Sequence, residues 1–175
     1  AQGHSVEGGL ARIYTVIKDI RKQDPDALLI HTGDTIQGSA EVLYTRGQAI
    51  VDILNTFRID AFAPGNWEFV YGTERFLELF AVDRPKAPWH AIAANVHYAT
   101  PAQEPTSPYA DKAGQRVLPP YVIRYVGGVK VGIQSKAELE QAIGEVLANA
   151  RERAPHAKID GVLVSEMVRG GFELI

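Results

Sequence analysis

Apolar residues fall at helical spacing over residues 10–22, where Leu10, Ile13, Val16, Ile17 and Ile20 are interleaved with Arg12, Lys18, Asp19 and Lys22. Asp24-Pro25-Asp26 stops that helix. Residues 27–30, Ala-Leu-Leu-Ile, form a short continuous apolar run, the mark of a strand buried on both faces. A polar loop over 31–39 follows. The alternation then repeats: a helix over 48–57, a strand over 60–63 broken by Pro64-Gly65, a helix over 73–80 capped by Thr73, and a strand over 91–95. Residues 100–116, rich in Pro, Gly, Ser and Thr, read as an excursion loop. Two strands, 121–126 and 129–133, flank Gly127-Gly128 and predict a hairpin. A long helix over 136–153 and an apolar strand over 161–164 complete the pattern.

Strands alternating with helices imply an α/β domain, and the hairpin adds antiparallel character. The expectation is one domain over residues 1–175, a mixed sheet with helices on both faces. At 175 residues the chain can bury a core without staples. The net charge of −3 gives no electrostatic reason to expect a nucleic-acid polymer or an anionic membrane as partner. The absence of cysteine excludes disulfides, thiolate metal sites and a cysteine nucleophile. No apolar run reaches membrane-spanning length.

In such sheets ligands bind beyond the C-terminal ends of strands. Three polar residues stand there: Asp34 after the first strand, Asn66 after the second and Glu166 after the last. Oxygens from separate strand ends can converge on one cation. The same positions also suit a turn residue, an Asx-turn and a solvated carboxylate. Asn95 follows its strand similarly, with turn closure as its plain role. His31 suits either a structural role or support of a ligand. His90, His97 and His156 lack the spacing of a zinc set, and neither Ser39 nor Ser165 sits in a nucleophile elbow.

Gly33-Asp34-Thr35-Ile36-Gln37-Gly38 and Gly65-Asn66-Trp67-Glu68 resemble the G-D-x-x-x-G and G-N-H-E metal-binding blocks of the metallophosphoesterase superfamily. Gly8-Gly9-Leu10-Ala11-Arg12, Ala94-Asn95-Val96, Leu118-Pro119-Pro120-Tyr121 and Val126-Gly127-Gly128-Val129-Lys130-Val131-Gly132 continue the likeness, in order, to its 5′-nucleotidase branch. The resemblance implies a calcineurin-like fold, a four-layer α/β/β/α sandwich with mixed sheets, and two divalent ions, Mn or Zn, at one sheet edge. Asp34 would bridge the ions, Asn66 would ligate the second, Glu166 would add a ligand, and Asn95 and Trp67 would face the substrate. The ion pair would lower the pKa of a bound water, whose hydroxide attacks phosphorus. A periplasmic or extracytoplasmic location also follows from the resemblance.

The sequence departs from the family in several places. Nothing before Gly8 matches the opening D-x-H, the closing G-H-x-H is absent, and Glu166 stands where a histidine ligand is usual. Ile133 passes directly into Gln134-Ser135-Lys136, where the family places an active-site loop. The ligands at hand are therefore too few for a tight pair of ions, and displaced or missing loops are expected around Ile133–Gln134 and beyond Ser165. Trp67 replaces the block's histidine, and Gly65-Asn66-Trp67-Glu68-Phe69-Val70-Tyr71-Gly72 resembles G-H-W-E-F-T-Y-G of SoxB-type thiosulfohydrolases. Three readings follow: a phosphoesterase acting on a small phosphorylated substrate such as a nucleotide, a thiosulfohydrolase acting on a sulfur-carrier protein, and a non-catalytic domain of the same fold.

Overall fold

The computed structural model describes residues 9–82, 85–134 and 163–164. The first helix, α1 (Leu10–Gln23), forms where the periodicity predicts. Leu10, Tyr14 and Ile17 pack on the core, but Ile13, Val16 and Ile20 remain about half exposed. A groove of about 310 Å³ separates the helix from residues 29–31 and leaves its apolar face only partly covered.

The first two strands are shorter than their apolar runs. β1 (Ile30–His31) pairs in parallel with β2 (Ala61–Phe62), Ile30 opposite Ala61 and His31 opposite Phe62. The burial on both faces expected of the first run does not hold: β1 is only half-buried, because no second strand lies beside it among the described residues, whereas β2 is buried. The run at 91–95 contributes a single parallel bridge, Phe62 to Ala91, although Ala91–Ala94 are all buried. Between the strands lie α2 (Ala40–Tyr44), capped by Ser39 accepting from the Val42 N–H, and α3 (Gln48–Asn55). The sequence pattern missed α2, a helix of five residues. A short α4 (Thr73–Phe76) continues as a wider turn, Leu77–Ala81. Its cap position is Gly72, without a side-chain bond, and not Thr73 as expected.

β3 (Tyr121–Val126) and β4 (Val129–Gln134) form the predicted antiparallel hairpin. Gly127 and Gly128, at φ 55° and 82°, supply the two left-handed residues that a two-residue turn between twisted strands requires. β4 then pairs in parallel with β5 (Leu163–Val164), giving the order β3-β4-β5. Ile133 and Gln134 end β4, and the residues that follow, on which the expected displaced loops fall, lie outside the described residues. The helix expected over 136–153 lies outside the described residues.

Period-two alternation sorts the strand side chains between two cores. Leu28, Ile30, Ala61 and Ile92 meet Val122, Val131 and Ile133 between the sheets. Leu29, Phe62, Ala91 and Ala93 face the helices, around Trp89, Phe76, Phe80, Leu79 and Val51. Truncating one of those buried aromatics to alanine costs about 3–5 kcal/mol in such a core. Trp89 keeps its indole N–H satisfied by donating to Asn55 Oδ1 at 2.8 Å.

Asp60 fastens the layers. Its Oδ2 accepts from Arg21 at 3.1 Å and from the Leu29 N–H at 2.8 Å, and its carbonyl accepts two bonds from Arg124 of β3. Among the described residues no helix is long and apolar enough to cross a membrane.

Candidate functional site

Because β1, β2 and the bridge at Ala91 run parallel, their C-terminal ends share one edge of the sheet. Asp34, Asn66 and Asn95 follow those ends, and all three are exposed. The first two loops touch. A Cβ on Gly33 would sit 2.1 Å from the Gly65 nitrogen, and one on Gly65 would sit 2.3 Å from Asp34 Oδ1, so only glycine fits at either place. Gly33 also needs its φ of 88°.

Glu68 holds the two loops together. Its carboxylate, 1% exposed, accepts the backbone N–H groups of Asp34 at 2.9 Å, Thr35 at 2.7 Å and Gly65 at 2.7 Å. Three N–H donors that would otherwise be unpaired in tight turns converge on one charge, the strong form of a hydrogen bond. They fix Asp34 at φ 56°, a left-handed conformation that aspartate tolerates better than most residues. Asp34 Oδ1 in turn accepts the Trp67 N–H at 3.2 Å. The sequence reading gave Glu68 no role. The signal was an acidic residue three positions after a glycine turn, immediately before the aromatic Phe69.

His31, at the end of β1, bonds Thr35 Oγ1 through Nε2 at 2.7 Å and lies against Phe62 and Trp89. Burial lowers its pKa below the ordinary 6.5, and the nearby Glu68 carboxylate opposes that shift. Bonded to Thr35 and packed on two aromatic rings, the neutral imidazole has the structural role considered for it, and it makes no bond to Asp34. Trp67 is 38% exposed beside Asp34, able to donate a hydrogen bond but not to pass on a proton at neutral pH. Asn95 is joined to neither Asp34 nor Asn66 by a hydrogen bond among the described residues. Glu166, His4 and Ser165 lie outside those residues.

A pair of divalent cations needs several carboxylate, imidazole or amide donors. Among the described residues no group of three or more His, Cys, Asp or Glu could hold a metal ion. One carboxylate and one amide do not fit a pair of ions.

Comparison with known proteins divides the chain. Residues 4–128 match the calcineurin-like phosphoesterase family, and residues 122–175 match the ATP-grasp domain family. The snake venom 5′-nucleotidase of Naja atra is 35% identical over 131 residues, 75% of this chain and 23% of the venom protein. An ADP-forming acetate–CoA ligase of Archaeoglobus fulgidus is 47% identical over 62 residues, 34% of this chain and 9% of the ligase. Among solved structures, a 5′-nucleotidase precursor of Thermus thermophilus superposes with a TM-score of 0.65 at 23% identity, covering 90% of this chain and 31% of that one. The sulfate thiohydrolase SoxB from Thermus thermophilus gives 0.63 at 21% identity, covering 90% of this chain and 29% of that one. These similarities support the calcineurin-like fold. The chain spans about a fifth of the length of the curated nucleotidases it matches.

Proposed function

Through residues 4–128 the chain belongs to the calcineurin-like phosphoesterase family, and from that premise we propose that it is part of a 5′-nucleotidase-like hydrolase. The substrate would be a phosphate monoester such as a nucleotide, and the activity would depend on divalent Mn or Zn. The observation that carries this reading is the junction of the Asp34 and Asn66 loops on the Glu68 carboxylate. A mere turn does not need a buried charge to aim its aspartate at a neighbouring asparagine loop. Asp34 and Asn66 would be two donors of the metal site, with the remainder supplied from beyond the described residues. Asn95 and Trp67 would line the substrate side. A periplasmic or extracytoplasmic location goes with this reading.

The test is metal content. Full-length protein loaded with Mn²⁺ or Zn²⁺, desalted and measured by elemental analysis should lose at least tenfold of its bound metal in Asp34→Ala, along with phosphate release from 5′-AMP. Stoichiometric metal retained in that variant would remove Asp34 from the site.

Trp67 favours a second reading, a SoxB-like enzyme acting on a carrier-bound sulfur substrate, because its indole cannot protonate an alkoxide leaving group. Trp67→His separates the two. A gain of tenfold or more in nucleotide hydrolysis supports the nucleotidase. Activity on a protein-bound thiosulfonate that the same change abolishes supports the thiosulfohydrolase.

A further inference from the structure

We infer that the excursion loop at 100–116, the turn at Arg46 and the start of α4 together form a second binding site, for a small zwitterion: a primary ammonium and a carboxylate on one apolar body. None of its lining residues is Asp34, Asn66 or Asn95. The loop is a packed unit. His97 bridges Arg116 in antiparallel register, the Tyr98 N–H donates to the Gln115 carbonyl at 2.9 Å, and the Gly114 N–H donates to the Tyr98 carbonyl at 2.9 Å, which ties its two ends together. Inside it the Tyr98 and Tyr109 rings lie 5.4 Å apart, and the Lys112 ammonium stands 5.5 Å from the Tyr98 ring centre. Compact loops of this length, filled by their own side chains, are frequently functional.

Glu104, Pro108 and Tyr109 of the loop face Arg46, Tyr71 and Glu74 across a cleft of about 250 Å³. Such a cleft is small among ligand pockets and suits a molecule of amino-acid size. Its far wall is fixed. Arg46 has a φ of 49°, its carbonyl accepts from Nε of the buried Arg75 at 2.9 Å, and its guanidinium donates to the Tyr71 carbonyl at 2.9 Å. The Tyr71 hydroxyl in turn donates to the Val42 carbonyl at 3.4 Å. The carboxylates of Glu74 and Glu104 are not tied in this way: neither makes a hydrogen bond or an ion pair among the described residues. Opposite charges therefore line one cleft without pairing, because Arg46 is held on Tyr71. A ligand that carries both charges completes both halves, its carboxylate on Arg46 and its ammonium on Glu74 and Glu104. Tyr71, Pro108 and Tyr109 are left for its apolar body. A simple anion would meet two carboxylates, and a simple cation would leave Arg46 facing it, so the arrangement selects against either alone.

The probe is L-phenylalanine, titrated into full-length protein and followed by chemical-shift changes. Phenethylamine, which lacks the carboxylate, and hydrocinnamate, which lacks the ammonium, are titrated in parallel. Phenylalanine should bind saturably, and each analogue should bind about fivefold more weakly, the difference that one exposed ion pair supplies. No saturable binding of phenylalanine, or equal binding of all three, would overturn the inference. Two variants then locate the ligand's ends. Arg46→Gln should close the gap between phenylalanine and phenethylamine. Glu74→Gln combined with Glu104→Gln should close the gap between phenylalanine and hydrocinnamate. The second variant removes no bond that the fold uses, so it keeps the test decisive if Arg46→Gln disturbs the turn. A gap to hydrocinnamate that persists in it would put the bound phenylalanine elsewhere and overturn the assignment.

Discussion

Glu68 shows how one residue can be more informative than the motif around it. The Asp34 and Asn66 blocks were legible because their letters resemble known metal-binding turns. The bond pattern that joins them was not legible, because a sequence does not say which backbone N–H groups lack partners. Removing the carboxylate leaves three of them unpaired, at about 1–3 kcal/mol for each that water cannot reach. Glu68→Ala should therefore lower stability by about 3 kcal/mol or more, and Glu68→Gln by less, since it keeps one acceptor oxygen. Urea midpoints measure both. Glu78 provides a separate test in acid. Its hydrogen bond from Lys86, then that from Arg75, hold its pKa down at about 2 from the ordinary 4.5. A carboxylate whose folded pKa is depressed contributes stability above 4.5 and loses it as pH falls toward 2. The side chain is 46% exposed, so solvent and salt will screen much of this. Glu78→Gln should flatten the stability profile across that acid window, and added salt should flatten the wild-type profile too.

At the scale of elements, legibility followed length. α1, α3 and the hairpin carry enough periods to be read. The strands β1 and β2 shrink to two residues each, because ladder pairing needs a neighbour that an apolar run cannot guarantee. In the run at 91–95, expected to be a strand, Ala91–Ala94 are buried and yet form only a bridge. α2 is a single turn and a half whose one sequence signal was the Ser39 cap. The hairpin turn gives a clean backbone measurement. A Cβ on Gly128 would meet nothing within 4 Å, yet its φ is 82°. Gly128→Val should thus cost about 1–2 kcal/mol through conformation alone, whereas Gly127→Asn should be nearly neutral, because asparagine tolerates that region. Equal losses in the two urea titrations would mean that packing, not φ, governs the turn.

For the whole molecule, an α/β body with one polar sheet edge was visible from the alternation of strands and helices. The match of residues 122–175 to a second family was not. Glycine-flanked alternating strands look the same whichever fold they come from, and the only outward sign was the abrupt passage from Ile133 into Gln134-Ser135-Lys136. Residues 27–30 and 60–63 were each read as self-contained strands, and nothing in either run announces that Asp60 binds them to α1 and β3. The attachments of Asp60 also bear on how quickly this body can assemble. Those of its carboxylate join residues 39 and 31 positions apart in sequence, so each must wait for a long loop to close, whereas α1 and the hairpin form locally; the Arg124 bonds go to the Asp60 carbonyl and survive loss of the side chain. Interactions that appear only late on the folding route govern the rate of escape from the native state more than the rate of arrival. In stopped-flow chevrons Asp60→Ala should accelerate unfolding at least tenfold and leave refolding within about twofold. The native lifetime of the body would then be set by a single carboxylate at a distance from its polar edge.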